Sequence, residues 1–261
     1  MFVPILAYHK IQAGFPIDVS NTTPAQFEQQ MHWLHAEGYR TISFLDYVDG
    51  KYSGQREVLI TFDDTYASVY ENAFPILAKY HFTATVFVIA KYVGRWNSWD
   101  HNFPVSPAAH CGWNEIRFLL ARGWEVGSHT VGHPNLRRLT RRQIWYELRY
   151  SKTLIEHKLG TVVNVVSYPF GRFDCQVVEL ARDAGYLAGC TLGYQHPDVD
   201  QFPHALARRG VYFFEPFVLY KAKLRNNYLS HCDDLKQRLF SRAAQSSLLG
   251  HFPRSASKLL D

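Results

Sequence analysis

Short runs of apolar and β-branched residues alternate along this chain with longer segments whose apolar positions recur every three or four residues. The first pattern reads as buried strand and the second as amphipathic helix. Strands are predicted at residues 4–8, 41–43, 58–61, 83–90, 124–128, 162–167, 187–192 and 209–212. Between them, Thr23-Pro24 opens a helix, with Thr23 as N-cap, Pro24 in the first turn and Gly38 beyond its end. Residues 66–80 have helical spacing, with Pro75 expected to kink the helix or mark its true start. A helix over 114–122 is closed by Gly123. Thr140 and Gln143 form a capping box for a helix running to about residue 159, with Leu139 placed to staple onto Ile144. Asp174 caps a helix to about residue 184, and the tail beyond Phe217 has helical character.

Strands that alternate with helices predict a parallel sheet. The simplest form is a distorted (β/α) barrel, completely closed or not, with an open doubly wound sheet as the alternative. No Gly-rich phosphate loop follows an early strand, which argues against a nucleotide fold. A barrel gathers the C-terminal ends of its strands on one face, where active sites are built. His9, Asp63, Asp64, His129 and the turn Tyr168-Pro169-Phe170-Gly171 all fall at such ends.

Val58-Leu59-Ile60-Thr61 runs straight into Asp63-Asp64 after Phe62, and two buried acids need cationic or hydrogen-bonding neighbours. Adjacent residues on an extended chain point to opposite sides, so the two carboxylates can take different roles. Ser128-His129-Thr130-Val131-Gly132-His133-Pro134 carries two histidines four apart. Gly132 and Pro134 argue for a loop rather than a helix, and such a loop brings both imidazoles to one point. Two histidines and a carboxylate make a common open zinc or iron site. There is no Gly-x-Ser-x-Gly nucleophile elbow. The loop over residues 91–112 is long for a compact domain. Trp96, Trp99 and Trp113, in or beside it, offer ring faces suited to sugars or to packing.

Composition is globular, with 47% hydrophobic and 20% charged residues. The four cysteines form no CxxC pair, which excludes a thiolate zinc knuckle. Residues 216–261 carry eight basic and three acidic residues, accounting for the whole net charge of +5. This divides the chain into a domain over residues 1–215 and a basic helical extension over 216–261. No nucleic-acid module accompanies the charge; the extension reads first as a solvated helical face, with a peripheral contact to an anionic membrane, or to an acidic partner, as the alternative. No basic, apolar leader precedes the first strand, so a cytoplasmic location is expected, with the inner membrane face as the docking surface.

The ordered motifs TFDD, SHTVGHP and YPFG, with the connecting NAFPILAKYHFTATVFVIA and WNEIRFLLARGWEVGSHT, resemble the polysaccharide deacetylase family. This is the NodB homology domain, or carbohydrate esterase family 4. The opening PILAYHKI is similar to its permuted branch, whose members act on poly-N-acetylglucosamine. The resemblance implies metal-dependent removal of N-acetyl groups from an amino-sugar glycan. Asp63 would be the catalytic base and His9 the general acid. Asp64, His129 and His133 would hold one divalent ion, expected to be zinc. Tyr168, Phe170 (through its N–H) and Trp99 would meet the substrate. Hydrolysis of another C–N bond, as in a cyclic imide or ureide, or glycan binding without turnover, are the alternatives. Two departures from the family pattern stand out. Thr65 replaces the glycine usual after the acids, at a position where positive φ would strain it. Ser167 replaces an arginine that supports the base, a role that passes to Arg208 or Arg209 or is absent.

Overall fold

The computed structural model describes residues 3–14, 20–97, 108–193 and 203–225. The strands in chain order are β1 (Ile5–Tyr8), β2 (Lys10–Ile11), β3 (Asn21–Thr22), β4 (Arg40–Thr41), β5 (Glu57–Phe62), β6 (Thr85–Val88), β7 (Glu125–Ser128), β8 (Val165–Ser167), β9 (Ala188–Leu192) and β10 (Leu206–Gly210). The helices are α1 (Pro24–Ala36), α2 (Phe44–Val48), α3 (Phe74–Lys79), α4 (Trp113–Ala121), α5 (Arg141–Leu159), α6 (Cys175–Asp183) and α7 (Phe217–Lys223). Strands β5 to β10 follow one another in parallel, and β1 closes the ring by pairing with β5 on one side and β10 on the other. The result is a closed, seven-stranded parallel barrel, with β4 paired to the outer part of β5. Closure through β1 sets aside the open doubly wound sheet.

Side chains of successive strand residues face opposite ways, and two apolar clusters sort accordingly. Ile5, Leu59, Phe87, Val165, Ala188, Cys190 and Leu206 fill the barrel interior with Phe44, which plugs the N-terminal mouth from α2. Leu6, Tyr8, Val58, Ile60, Phe62, Val86, Val88, Val126 and Val166 face outward under the helices. Inward positions continue upward as Thr61 and Asp63 after Leu59, as His129 after Gly127, and as Arg208 after Leu206. The alternation that builds the core therefore also aims the polar side chains at the C-terminal mouth.

Local rules account for the helix ends. Thr23 and Gln26 complete a capping box on α1, as do Thr140 and Gln143 on α5. Pro75 marks the true start of α3, preceded by a wide π-type turn over Val69–Ala73. The predicted strand at 41–43 is shorter than expected, because Ser43 caps α2 through Asp46 N–H. The last strand begins three residues earlier than predicted, at Leu206, a shift that matters for the site. Beyond it, α7 packs on α1: Phe217 and Tyr220 meet Trp33, and Lys223 pairs with Glu215 at 2.8 Å in a fully buried ion pair. Among the described residues no helix is long and apolar enough to cross a membrane. The basic residues of the tail beyond Arg225 lie outside the described residues, and the expected membrane contact finds no support among those described.

Candidate metal centre and active site

The floor of the site is an aromatic ring. Phe87 fills the barrel interior, and β7 leaves room for it with Gly127, where a Cβ would sit 2.5 Å from the ring. Arg208 lies over this ring, its guanidinium carbon 5.1 Å from the centroid. The arginine is fully buried, and each of its three nitrogens donates. Two parallel bonds reach Asp63, from Nη1 to Oδ1 at 2.8 Å and from Nη2 to Oδ2 at 2.7 Å. The others reach Thr61 Oγ1, Ser167 Oγ and the Thr191 carbonyl. A buried pair needs this fork geometry and satisfied remaining donors to offset its desolvation. Burial alone would raise the Asp63 carboxyl. The charge of Arg208, with smaller help from His129 and His9, instead holds it well below the usual carboxylate range. Of the two arginines, Arg208 on β10 is the one paired with Asp63. Arg209 faces outward, bonded to the Lys223 carbonyl.

Above this pair stand Asp64, His129 and His133, all buried, with one potential ligand atom from each lying within 4.8 Å of the others. His129 Nε2 is 3.5 Å and His133 Nε2 3.7 Å from Asp64 Oδ1, and the two Nε2 atoms are 3.1 Å apart. Asp63 Oδ2 is 4.0 Å from His129 Nε2. The donor set fits a divalent cation on its own chemistry. His129 Nδ1 lies 2.8 Å from the Ser167 carbonyl, which can only accept, so Nδ1 carries the proton and Nε2 offers its lone pair to the centre. Burial pushes His129 down to about 4 and His133 well below its ordinary value, which keeps both imidazoles neutral at physiological pH, as ligands must be.

The two acids do not point apart, as an extended chain would require. Asp64 has φ 64° and Thr65 φ 50°, and this left-handed pair turns Asp64 back over the strand end toward Asp63. Thr130, His133 and Phe170 also have positive φ, so four of the seven such non-glycine residues among those described belong to the three motifs and a fifth, Thr65, directly follows the first. Backbone strain held this way collects at functional sites. Thr65 is accommodated: its hydroxyl donates to the Phe87 carbonyl at 2.8 Å and its own carbonyl accepts from Cys111 N–H at 2.9 Å. The histidine loop is held from α5. Glu147 accepts from the N–H groups of Val131 and Gly132 at 2.8 and 2.9 Å, and Thr130 Oγ1 accepts from His133 N–H.

His9 follows β1 in the inward register and acts electrostatically on Asp63, His129 and His133. The ring of Phe170 packs edge-on against His133 with centroids 4.6 Å apart. Tyr168 corrects an expectation. It follows Val166 on the outward register, is buried, and donates its hydroxyl to the His204 carbonyl at 2.9 Å, so its side chain serves the core rather than the substrate. Trp99 lies outside the described residues. Trp113 is half-buried against the core, whereas Trp96 is 63% exposed. Two residues escaped the reading of the sequence: Glu147, which looks there like an ordinary surface acid of α5, and His110, which donates from Nδ1 to the Asp64 carbonyl at 2.7 Å.

Known proteins resemble this chain in sequence and in fold. The profile of the polysaccharide deacetylase family matches residues 50–189. YxkH of Bacillus subtilis (strain 168), whose name assigns it to that family, is 33% identical over 210 residues, covering 79% of this chain and 70% of its own. The poly-beta-1,6-N-acetyl-D-glucosamine N-deacetylase of Staphylococcus aureus (strain MRSA252) is 27% identical over 184 residues, and the match spans 66% of this chain and 61% of that enzyme. In fold, the deacetylase PplD of Streptococcus pyogenes superposes over 85% of this chain and 98% of its own, with a TM-score of 0.73 at 23% identity. IcaB of Ammonifex degensii does so over 85% and 95%, with a TM-score of 0.69 at 24% identity. With the family profile matched over more than half of the chain and a 33% identical relative covering 79% of it, this chain belongs to the polysaccharide deacetylase family.

Proposed function

We propose that this protein removes N-acetyl groups from an N-acetylglucosamine-containing polysaccharide by zinc-dependent hydrolysis. The observation that carries the reading is the buried Asp63–Arg208 pair standing beside the Asp64, His129 and His133 cluster at one mouth of the barrel. Asp64, His129 and His133 would hold the ion. A zinc ion so bound lowers the pKa of water to about 7 and polarises a carbonyl oxygen.

The remaining chemistry belongs to the chain. Asp63 is the base that accepts the proton of the attacking water. Its pairing with Arg208 costs basicity, but keeps the carboxylate ionised and aimed whenever substrate arrives. His9, just beyond the end of β1 next to β5, protonates the departing amine nitrogen. Amine expulsion without that proton would be the slow step, since a free amide anion is a very poor leaving group. The backbone N–H of Phe170 is the donor assigned to the developing oxyanion, and the left-handed conformation of this residue supports that assignment. The edge of Phe170 against His133 forms an apolar wall for the acetyl methyl.

The sequence relation to the staphylococcal enzyme makes a β-1,6-linked N-acetylglucosamine polymer the first substrate to test. The test is acetate release from that polymer and from chitooligosaccharides by zinc-loaded protein, with metal content measured in parallel. Metal-dependent acetate release is expected. Stoichiometric zinc with no acetate from any N-acetylated glycan would overturn the reading, and turnover of a cyclic imide or ureide by the same sample would replace it.

A further inference from the structure

The carboxylate of Asp64 hangs from a strained peptide, with φ 64° at Asp64 and 50° at Thr65. No glycine relieves this turn, so contacts outside it must hold the backbone in place. The contacts come from the segment around His110. Ala67 N–H donates to the Ala109 carbonyl at 2.8 Å, and Cys111 N–H donates to the Thr65 carbonyl at 2.9 Å. Between these two, the His110 side chain reaches the Asp64 carbonyl at 2.7 Å, the shortest contact of the set. A carbonyl only accepts, so Nδ1 bears the hydrogen.

The imidazole is itself tightly fixed. It stacks on Tyr66 with centroids 4.7 Å apart and planes at 23°, and lies against Tyr92 at 5.6 Å. The Lys10 ammonium lies 4.6 Å from the centroid of the Tyr66 ring, and the Tyr66 hydroxyl accepts from Asn97 Nδ2 at 3.0 Å. His110 is only 5% exposed. A side chain immobilised by stacking delivers its N–H at a set angle, and rigid support of this kind is what a ligand on a strained turn requires.

We propose that His110 is a positioning residue for the metal centre: its Nδ1–H fixes the Asp64 peptide and thereby the direction of the Asp64 carboxylate. The proposal rests on the reading of Asp64 as a metal ligand. His110 touches neither substrate nor ion, and acts only through Asp64.

The test compares three variants with the wild-type protein by zinc affinity in chelator competition, by the absorption spectrum of the cobalt-substituted protein, and by melting of the metal-free form. His110→Phe keeps the stacked ring and removes the N–H. His110→Asn places an amide N–H near the Nδ1 position, and His110→Gln places one near the Nε2 position instead. Partners behind metal ligands typically contribute about 10–100-fold in affinity. His110→Phe and His110→Gln are expected to weaken zinc by roughly that factor and to change the cobalt spectrum, while His110→Asn recovers most of both. If His110→Phe does not fold, the Asn and Gln pair decides alone. Equal zinc affinities for Asn and Gln, or a Phe variant with wild-type affinity and spectrum, would overturn the proposal. So would wild-type protein that binds no zinc, which would remove the functional reading as well. Tight zinc binding without acetate release would remove the functional reading alone.

Discussion

The two mouths of the barrel both bury carboxylates, and they treat them differently. At the N-terminal mouth, Glu57 accepts from Ser53 and Gly54 N–H and from Arg40, and Glu125 accepts from Phe44 N–H and the Thr85 hydroxyl. These donors are built into the backbone and strand register, and Phe44 closes the opening above them. At the C-terminal mouth, Asp63 is matched by one buried arginine, and Asp64 faces the Nε2 edges of two neutral imidazoles. Burial of an acid is therefore no mark of chemistry in this protein. The distinction is whether the groups around the acid complete its hydrogen bonding or present further lone pairs toward a common point.

Substitutions at the two mouths test that distinction, and the largest effect is expected at Asp63. Asp63→Asn should retain metal and lose about 10²–10⁴-fold in acetate release, the range for a removed general base. Near wild-type turnover would deprive the upper acids of their special status. Arg208→Met leaves Asp63 buried without its partner, and should cost about 3–5 kcal/mol in denaturant unfolding. A loss under 1 kcal/mol would mean that the carboxylate is solvated in some other way. Next comes metal linkage. Zinc at a hundred times its dissociation constant should stabilise the wild type by about 2.7 kcal/mol. His133→Ala should show no such gain in a melting experiment with and without chelator.

The smallest effects belong to the lower mouth. Glu125→Gln keeps an acceptor for Phe44 N–H and Thr85, and should change stability by less than about 1 kcal/mol without altering metal content. Its pH signature has a definite sign. Burial raises the Glu125 carboxyl above its ordinary value despite those two donors. The folded protein therefore takes up this proton at a higher pH than the unfolded chain. The wild type should gain stability relative to Glu125→Gln as pH falls through the folded pKa toward the unfolded one. Melting temperatures of both proteins across that acid range give the check, and a relative loss on acidification would reverse the assignment.

The strand ends, the shared face and the histidine pair are legible in the sequence because each is a local pattern: an apolar run, then a polar residue with no reason to be in a core. Arg208 is harder to read. Ala205-Leu206-Ala207-Arg208 has no β-branched residue, so intrinsic preference draws the strand toward 209–212, and tertiary pairing with β9 and β1 overrides it. Its partner Asp63 lies 145 positions away, and nothing between them announces the contact. Thr65 shows the opposite failure. Strain is legible there, but not its relief by the Phe87 carbonyl, which depends on the neighbouring strand. The outward position of Tyr168 is hidden in a strand-end motif until the register of the strand is known. Phe44–Val48 was missed because a five-residue helix is too short to show periodicity.

The ring closes through β1, which holds β5 on one edge and β10 on the other. His9 stands at the end of this strand, and Arg208 on the strand that meets it from the far end of the fold. During synthesis the histidine emerges early, and must wait for some two hundred further residues before the barrel can shut around it. Pairings of such long range are slow to form. Pairing of β1 with β10 therefore completes both the barrel and the proposed catalytic machinery, and a partly made chain would have neither a finished barrel nor a competent centre. Refolding followed by both β1–β10 pairing and zinc uptake should show the two arriving together.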